Sequence, residues 1–394
     1  MGIKSIKDID IRGKRVFFRF DFNVPLDKDG TIKDDTRIRR ALPTIRYAVS
    51  QGARSILASH LGRPKGEVRP EMSLRPIAAR LTELLGQNVR FIDDCIGEKV
   101  KEAVSLLRDG EVLVLENLRF HAGETKNDPE FAAQLAAGVD VYVNDAFGTA
   151  HRAHASTVGV AGLVGERAAG LLLKEELDNL EKALEAPRKP VVAILGGAKI
   201  SDKLGILTYI LNRMDSIVIG GGMANTFLNA QGMEMGRSLV EHDLMETARE
   251  ILQAAKEKGC AILLPVDFVV APDMKEGART EIVDAGAVPE DEMALDIGPR
   301  TIDRFRESVA GAGTILWNGP MGVFEIDAFK NGTVELAKAV ANSSAFTIVG
   351  GGDSVRALYQ AGVADRISYI STGGGAFLEF LEGKTLPGVA ALAQ

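Results

Sequence analysis

The chain has 394 residues, 46% of them apolar and 26% charged, with a net charge of −7; this is the balance of a soluble globular protein too long for one core of ordinary size. The acidic balance speaks against nucleic acid as the main partner, and no apolar run approaches membrane-spanning length, so no nucleic acid and no membrane is expected. The start MGIKSIKDID lacks the apolar stretch of a signal peptide, and two distant cysteines, Cys95 and Cys260, suggest no disulfide framework, so a reducing cytoplasmic home is expected.

In chain order, RVFFRF reads as a strand, DDTRIRRALPTIRYAVSQG as a helix and SILAS as a second strand. Ile38, Leu42, Ile45 and Val49 keep helical spacing, and Gly52 ends the run. VRFI, VLVLE and DVYVN follow as further strands. Strand, helix, strand is the signature of a parallel sheet with covering helices. LLLKEELDNLEKALEAPRKP then predicts a long helix, with Leu173, Leu177, Leu180 and Leu184 spaced four, three and four. The second half repeats the plan: PVVAIL runs into GGAKISDK and SIVIGGG into MANTFLNA, followed by AILLPVDFVV, TILWNGPMG, FTIVGGGDS and YISTGGGAF. The fold expected is α/β, with two doubly wound parallel-sheet, Rossmann-like domains over residues 1–170 and 188–384, joined by a helix over 171–187.

Charge is uneven. Residues 1–170 carry 26 Lys and Arg against 23 Asp and Glu, whereas residues 171–394 carry 21 against 31. Seventeen of the 27 arginines lie in the first part. In open parallel sheets ligands bind beyond the carboxyl ends of the strands. The residues there are Asp21, Phe22 and Asn23, then His60, Leu61, Gly62 and Arg63, then Arg119 and Arg152, with Arg37 opening the first helix. Any one arginine could serve a surface ion pair. Four at successive strand ends suit a small, doubly anionic ligand, because guanidinium forks match phosphate and carboxylate.

The loops of the second half offer backbone amides instead, with Lys199, Lys203, Glu325 and Asp353 among them. A nucleoside triphosphate with Mg2+ suits that set: lysine on phosphate, carboxylate on the metal, glycines allowing close approach. The P-loop, the dinucleotide fingerprint and the protein-kinase catalytic loop are absent. NDAFGTAHRAHAST holds two of the five histidines, His151 and His154, around Arg152. A metal site lacks an evident third ligand and a hydrolytic dyad lacks a nucleophile elbow, which leaves anion docking by Arg152 as the better reading.

RFDFNVPL, DDTRIRRALPTI, SHLGRPKG, ENLRFHAGE, NDAFGTAHRAHAST, GGAKISDK, LWNGPMGVFE, GGGDS and STGGGAFLEFLEGKTLPGV together resemble the phosphoglycerate kinase family, bacterial type, in order from about residue 3 to the C-terminus. The resemblance implies reversible phosphoryl transfer between ATP and the carboxylate of 3-phosphoglycerate, giving 1,3-bisphosphoglycerate and ADP, in glycolysis. It implies two domains facing a cleft and closing about a hinge, a tail over residues 385–394 that returns to the first domain, and a monomer. It assigns 3-phosphoglycerate to Asp21, Phe22, Asn23, Arg37, His60, Leu61, Gly62, Arg63, Arg119 and Arg152. Lys199 and Lys203 would meet nucleotide phosphates. Gly220, Gly221, Ala294, Leu295, Pro320 and Val323 would shape the adenine slot, and Glu325 would lie near the ribose. Gly351, Gly352, Asp353 and Ser354 would sit by the phosphates, with Asp353 on Mg2+. Arg37, Lys203 and the helix start at Gly373, Gly374 and Gly375 would face the transferring group. Ala294 and Ser354 stand where many relatives carry Gly and Thr.

Two other readings compete: a two-lobed binding protein without chemistry, and a dinucleotide-dependent oxidoreductase. The Lys, Asp and Gly set of the second half weighs against the first, and the missing fingerprint against the second.

Overall fold

The structure, a computed structural model, describes residues 2–27 and 29–393. It divides into two compact units, one formed by residues up to Leu177 together with those from Thr385 onward, the other by Asp178–Lys384.

The first unit holds strands β1 Arg15–Arg19, β2 Arg54–Ala58, β3 Val89–Phe91, β4 Val112–Val114, β5 Val141–Asn144 and β6 Glu166–Ala169. They form one sheet in the order β3-β4-β2-β1-β5-β6, with every neighbouring pair parallel. Parallel pairing requires crossovers, and helices Thr36–Ser50, Arg75–Leu85, Glu98–Ser105 and Pro129–Leu135 lie in four of them. Strands covered on both faces read as continuous apolar runs. That is why Val16, Phe17 and Phe18 are all fully buried. The helix Thr36–Ser50 turns Ile38, Leu42 and Ile45 into the core, with Val49 half-buried at its end. Phe18, Phe20 and Phe22 stack in sequence beneath the sheet's carboxyl edge. The C-terminal residues pack on this unit: the Gly388 amide donates to the Ala150 carbonyl at 2.8 Å, and Leu386, Val389 and Leu392 are buried.

The helix Leu171–Leu184 runs through the boundary between the units. It buries Leu173, Leu177, Leu180 and Leu184, the four positions its spacing predicts.

In the second unit β7 Val191–Leu195, β8 Ser216–Ile219, β9 Ala261–Leu263, β13 Thr314–Asn318, β14 Phe346–Val349 and β15 Tyr369–Ile370 form a second parallel sheet, ordered β15-β14-β13-β7-β8-β9. The first three strands wind outward one way and the last three the other, which is the dinucleotide-fold order with its switch point between β7 and β13. Trp317 on β13 is fully buried among Ile194, Phe305 and Leu336.

The structure differs from the sequence reading in three places. AILLPVDFVV is not one strand: β9 ends before Pro265, and β10 Asp267–Ala271 joins a different sheet, since proline cannot donate to a ladder. That sheet is antiparallel, ordered β11-β10-β12, with β11 Glu281–Asp284 and β12 Met293–Ile297. Strands β6, β11 and β12 were not anticipated. β6 reads ERAA, without the β-branched or aromatic residues that mark strands.

Candidate active site

In the first unit the carboxyl ends of β1, β2, β4 and β5 bring their loops to one edge. The Phe22 amide donates to Ser59 Oγ at 2.8 Å, tying the turn after β1 to that after β2. The Gly62 amide donates to Asn23 Oδ1 at 2.9 Å, a second tie between the same loops. Gly62 has φ +64°, and a Cβ there would meet Met72 Sδ at 2.8 Å, so this close crossing requires glycine. Asn117, fully buried, accepts from the Leu61 amide at 3.2 Å and from the Arg119 amide at 3.1 Å, while its Nδ2 donates to the Leu61 carbonyl at 2.7 Å. The SHLG and ENLR segments are thereby held as one piece.

On this frame the charged groups gather. Arg37 Nη1 donates to Asp21 Oδ2 at 2.7 Å. Arg119 Nη1 donates to the Gly62 carbonyl at 2.8 Å, and its buried Nε has no partner among the described residues. Arg152 Nε donates to His151 Nε2 at 3.2 Å. Burial, helped by Arg19 and Arg152, pushes the Arg119 guanidinium down to about 10. His60 is 4% exposed and accepts from Arg19 Nη2 at Nδ1, 3.1 Å away. Burial holds its imidazole well below the usual range, and Arg19, Arg119, Arg37 and Arg152 push the same way. Four guanidinium groups therefore act on one desolvated ring.

Of the predicted residues, Asp21, Asn23, Arg37, His60, Leu61, Gly62, Arg119 and Arg152 belong to this connected set, with Phe22 buried beneath it. Arg63 is exposed at its edge. Sequence reading passed over Arg19, whose side chain is fully buried and donates to Ser156 Oγ at 2.8 Å and to the Phe20 carbonyl. It passed over Glu124 as well, fully buried and accepting from the Ser156 amide at 3.0 Å and from Ser156 Oγ at 2.6 Å. Neither stood out in the sequence: Arg19 lies inside the strand RVFFRF and Glu124 in the polar stretch HAGETKND, and only the structure shows each buried and paired, as a buried ionic group must be.

The two histidines of NDAFGTAHRAHAST belong to no cluster of three metal-ligating side chains among the described residues. Burial, with Arg119, Arg19 and Arg152, pushes His154 down to about 4. Its Nδ1 stands 3.8 Å from Glu124 Oε1.

In the second unit a cavity of about 450 Å3 opens at the switch point. Gly221, Ala294, Leu295, Pro320, Val323, Glu325 and Asp353 line it. Its walls are mostly apolar, with Leu239, Phe268 and Met293 added to the predicted set. Gly220 lies beneath the wall, where a Cβ would meet Met321 Sδ at 2.4 Å. Ser354 is buried and accepts from the Gly319 amide at 2.6 Å, so it braces the NGPMG loop from below. Lys203 reaches Asn318 Oδ1, and Asn318 Nδ2 donates to the Gly350 carbonyl at 2.7 Å. Burial lowers the Lys203 ammonium from its ordinary value. Lys199 is exposed, as are Gly374 and Gly375 at the start of the helix Gly375–Leu381, while Gly373 is buried. Gly351 has φ +93° and precedes the helix Gly352–Gln360, which carries Asp353 in its first turn. Arg356, also missed, donates to Glu325 Oε1 at 2.7 Å and to Asp353 Oδ1 at 3.2 Å.

One unit gathers arginines at the carboxyl edge of its parallel sheet and the other opens a cavity at its switch point, which places the protein in the doubly wound α/β class. The sequence matches the phosphoglycerate kinase family over residues 6–384. It is 57% identical to the phosphoglycerate kinase of Koribacter versatilis and 56% identical to that of Moorella thermoacetica, with the whole of each chain covered. The structure of phosphoglycerate kinase from Coxiella burnetii superposes with a TM-score of 0.93 at 45% identity, covering 99% of this chain and 98% of that one. That from Pyrococcus horikoshii gives 0.82 at 37% identity, with the same coverage. The chain belongs to the phosphoglycerate kinase family. It is a transferase of glycolysis that moves a phosphoryl group between ATP and 3-phosphoglycerate.

Proposed function

We propose that Asp21, Phe22, Asn23, Arg37, His60, Leu61, Gly62, Arg63, Arg119 and Arg152 hold 3-phosphoglycerate, and that the cavity of the second unit holds ATP or ADP. One observation carries this reading: the charges of Arg19, Arg37, Arg119 and Arg152 all bear on the buried His60 ring. Such an accumulation of positive charge is stable when an anion completes it, and the unpartnered Nε of Arg119 is a donor waiting for one. Leu295, Pro320 and Val323 give a flat apolar slot for adenine, flanked by Ala294, Gly220 and Gly221, and Glu325 faces the ribose. Lys199, Lys203, Gly351, Gly352 and Ser354 serve the phosphates.

The acceptor carboxylate is ionised at neutral pH and requires no general base. The barrier is the approach of one anion to another, so alignment and neutralisation of the transferring charge are the chemistry. Arg37 neutralises from the acceptor side, and Lys203 with the amides at Gly373, Gly374 and Gly375 from the donor side. These groups belong to different units, so the reaction requires closure about a hinge near the helix Leu171–Leu184. Closure also excludes water from the phosphoryl group. Mg2+ fits at Asp353: its carboxylate is 65% exposed on the cavity wall, an oxygen donor with room for the waters that Mg2+ retains. When bound, Mg2+ supplies neutralisation of phosphate charge. The protein works in the cytoplasm and as a monomer, and light scattering on the purified chain tests the oligomeric state.

The assignment is checked by titrating each substrate into two variants. Arg119→Ala should lose 3-phosphoglycerate affinity and keep that for Mg-ADP, and Asp353→Asn should do the reverse. Equal loss of both ligands in either folded variant would contradict the division.

A further inference from the structure

Outside the site already described, one group of side chains has the composition of a metal centre. Asp94, Cys95 and His121 place a carboxylate oxygen, a thiol sulfur and an imidazole nitrogen within 4.8 Å of one another. Asp94 and Cys95 lie in the loop after β3, and His121 follows the short turn Leu118–Phe120 after β4. Three different elements of chemistry thus converge from two neighbouring strand ends. We propose that Asp94, Cys95 and His121 form a binding site for a borderline-soft divalent cation of the zinc type, separate from the Mg2+ that accompanies the nucleotide.

The geometry is largely set without a cation. His121 Nε2 lies 2.8 Å from Asp94 Oδ1, so imidazole and carboxylate already face each other. The Cys95 amide donates to the same Asp94 oxygen at 2.7 Å and fixes the carboxylate. The His121 ring packs against Phe131 with centroids 5.4 Å apart, which limits its rotation. Supporting contacts of this kind orient metal ligands and raise affinity. Zinc takes sulfur at ~2.3 Å and nitrogen or oxygen at ~2.0–2.2 Å, so tetrahedral ligands stand closer together than the widest separation here, and side-chain rotation must close the rest. The site is reachable: the Asp94 and His121 side chains are 44% and 33% exposed, while Cys95 forms the buried floor. Solvent completes the fourth position.

Ligand type decides the cation. A thiolate and an imidazole disfavour Mg2+ and Ca2+, which want oxygen, and suit Zn2+ or Co2+. Burial pushes the Cys95 thiol well up, so the cation-free site holds a thiol. Binding forms a metal–sulfur bond, breaks the S–H bond and releases one proton to solvent. The bound cation would clasp the β3 loop to the turn that carries Arg119. The Asp94 carbonyl already accepts from the Glu116 amide at 3.2 Å in the same connection.

Co2+ is the probe, because thiolate ligation gives a charge-transfer absorption that nitrogen and oxygen ligands do not. Titration of Co2+ into the full chain, with Mg2+ present in excess, should produce that band at one equivalent. Cys95→Ser should abolish the band, Cys260→Ser should keep it, and His121→Asn should weaken Co2+ binding by at least about 10–100-fold. Calorimetry with Zn2+ should give one tight site in the parent and none of that affinity in Cys95→Ser, whose fold is verified by its turnover of ATP and 3-phosphoglycerate. Absence of the band in the parent, or its persistence in Cys95→Ser, overturns the site. So does tight Zn2+ binding that survives both Cys95→Ser and His121→Asn.

Discussion

His60 and His154 lie among guanidinium groups, and burial together with those charges keeps both imidazoles neutral, His154 down to about 4. An unfolded chain protonates histidine near pH ~6.5. Between that pH and about 4 the unfolded state therefore binds the proton that the folded His154 refuses, and stability falls as pH drops. The difference is worth about 3 kcal/mol at His154 when fully expressed. His154→Gln should flatten the stability curve between these pH values, read from urea unfolding at each pH, and should keep kcat within roughly tenfold, since one supporting hydrogen bond is worth about 1 kcal/mol. A parallel curve, or kcat lost by orders of magnitude, would return His154 to a catalytic role. Arg37→Ala should behave differently, lowering kcat far more than 3-phosphoglycerate affinity, because its charge matters most in the transition state. Arg37→Lys should restore it only in part, since a point charge cannot replace a planar fork. Sequence reading found His60, Arg119 and Arg152 because each follows a strand, and Arg37 because it opens the first helix. Arg19 was hidden because it lies inside RVFFRF, where the apolar neighbours signal a strand and nothing signals a buried cation.

At the scale of elements, β7 and β13 are each followed by glycine because their loops cross in contact. A Cβ on Gly319 would lie 2.1 Å from the Gly196 carbonyl oxygen, and one on Gly196 would lie 2.0 Å from that of Pro320. Gly319 also has φ +95°, which disfavours any side chain. Gly319→Ala must move backbone rather than a flexible side-chain end, at a cost of a few kcal/mol. It should also weaken Mg-ADP binding, since Pro320 and Val323 in the same loop line the cavity. Binding of 3-phosphoglycerate should persist. Gly286→Ala is the control, with nothing within 4 Å and an ordinary φ, and should change stability by less than about 0.5 kcal/mol. Glycine clusters after strands were plain in the sequence, and they located the nucleotide side. Which glycine meets which backbone was not legible, because that depends on pairing β7 with β13, whose partners are 123 residues apart in the register from Thr314 and Val191 onward. The antiparallel sheet escaped for a related reason. β11 has no buried residue and so lacks the apolar alternation that marks a half-covered strand.

For the whole molecule, the uneven charge and the buried acids give the two units opposite responses to pH. The first unit holds His60 and His154, which lose stability on acidification, and Asp145, pushed up to about 6 mainly by burial, which opposes them in part. The second holds Asp296, which burial pushes up to about 7 despite hydrogen bonds from the Gly332 and Ile297 amides. A carboxyl whose folded pKa is raised binds its proton more readily in the folded state, so Asp296 contributes stability at low pH that is lost as pH rises from ~4 through 7. Acidification from pH 7 to 5 thus weakens the first unit and strengthens the second. Trp317, the one tryptophan, is fully buried in the second unit and reports on it alone, whereas far-ultraviolet circular dichroism averages both. In urea at pH 5 the Trp317 fluorescence midpoint should lie above the dichroism midpoint, and the gap should narrow toward pH 7. Asp296→Asn should narrow the gap, because an amide cannot take up the proton, and should leave the part set by the histidines of the first unit. Coincident midpoints at pH 5 would mean that the units unfold as one, and the expected separation would then be wrong.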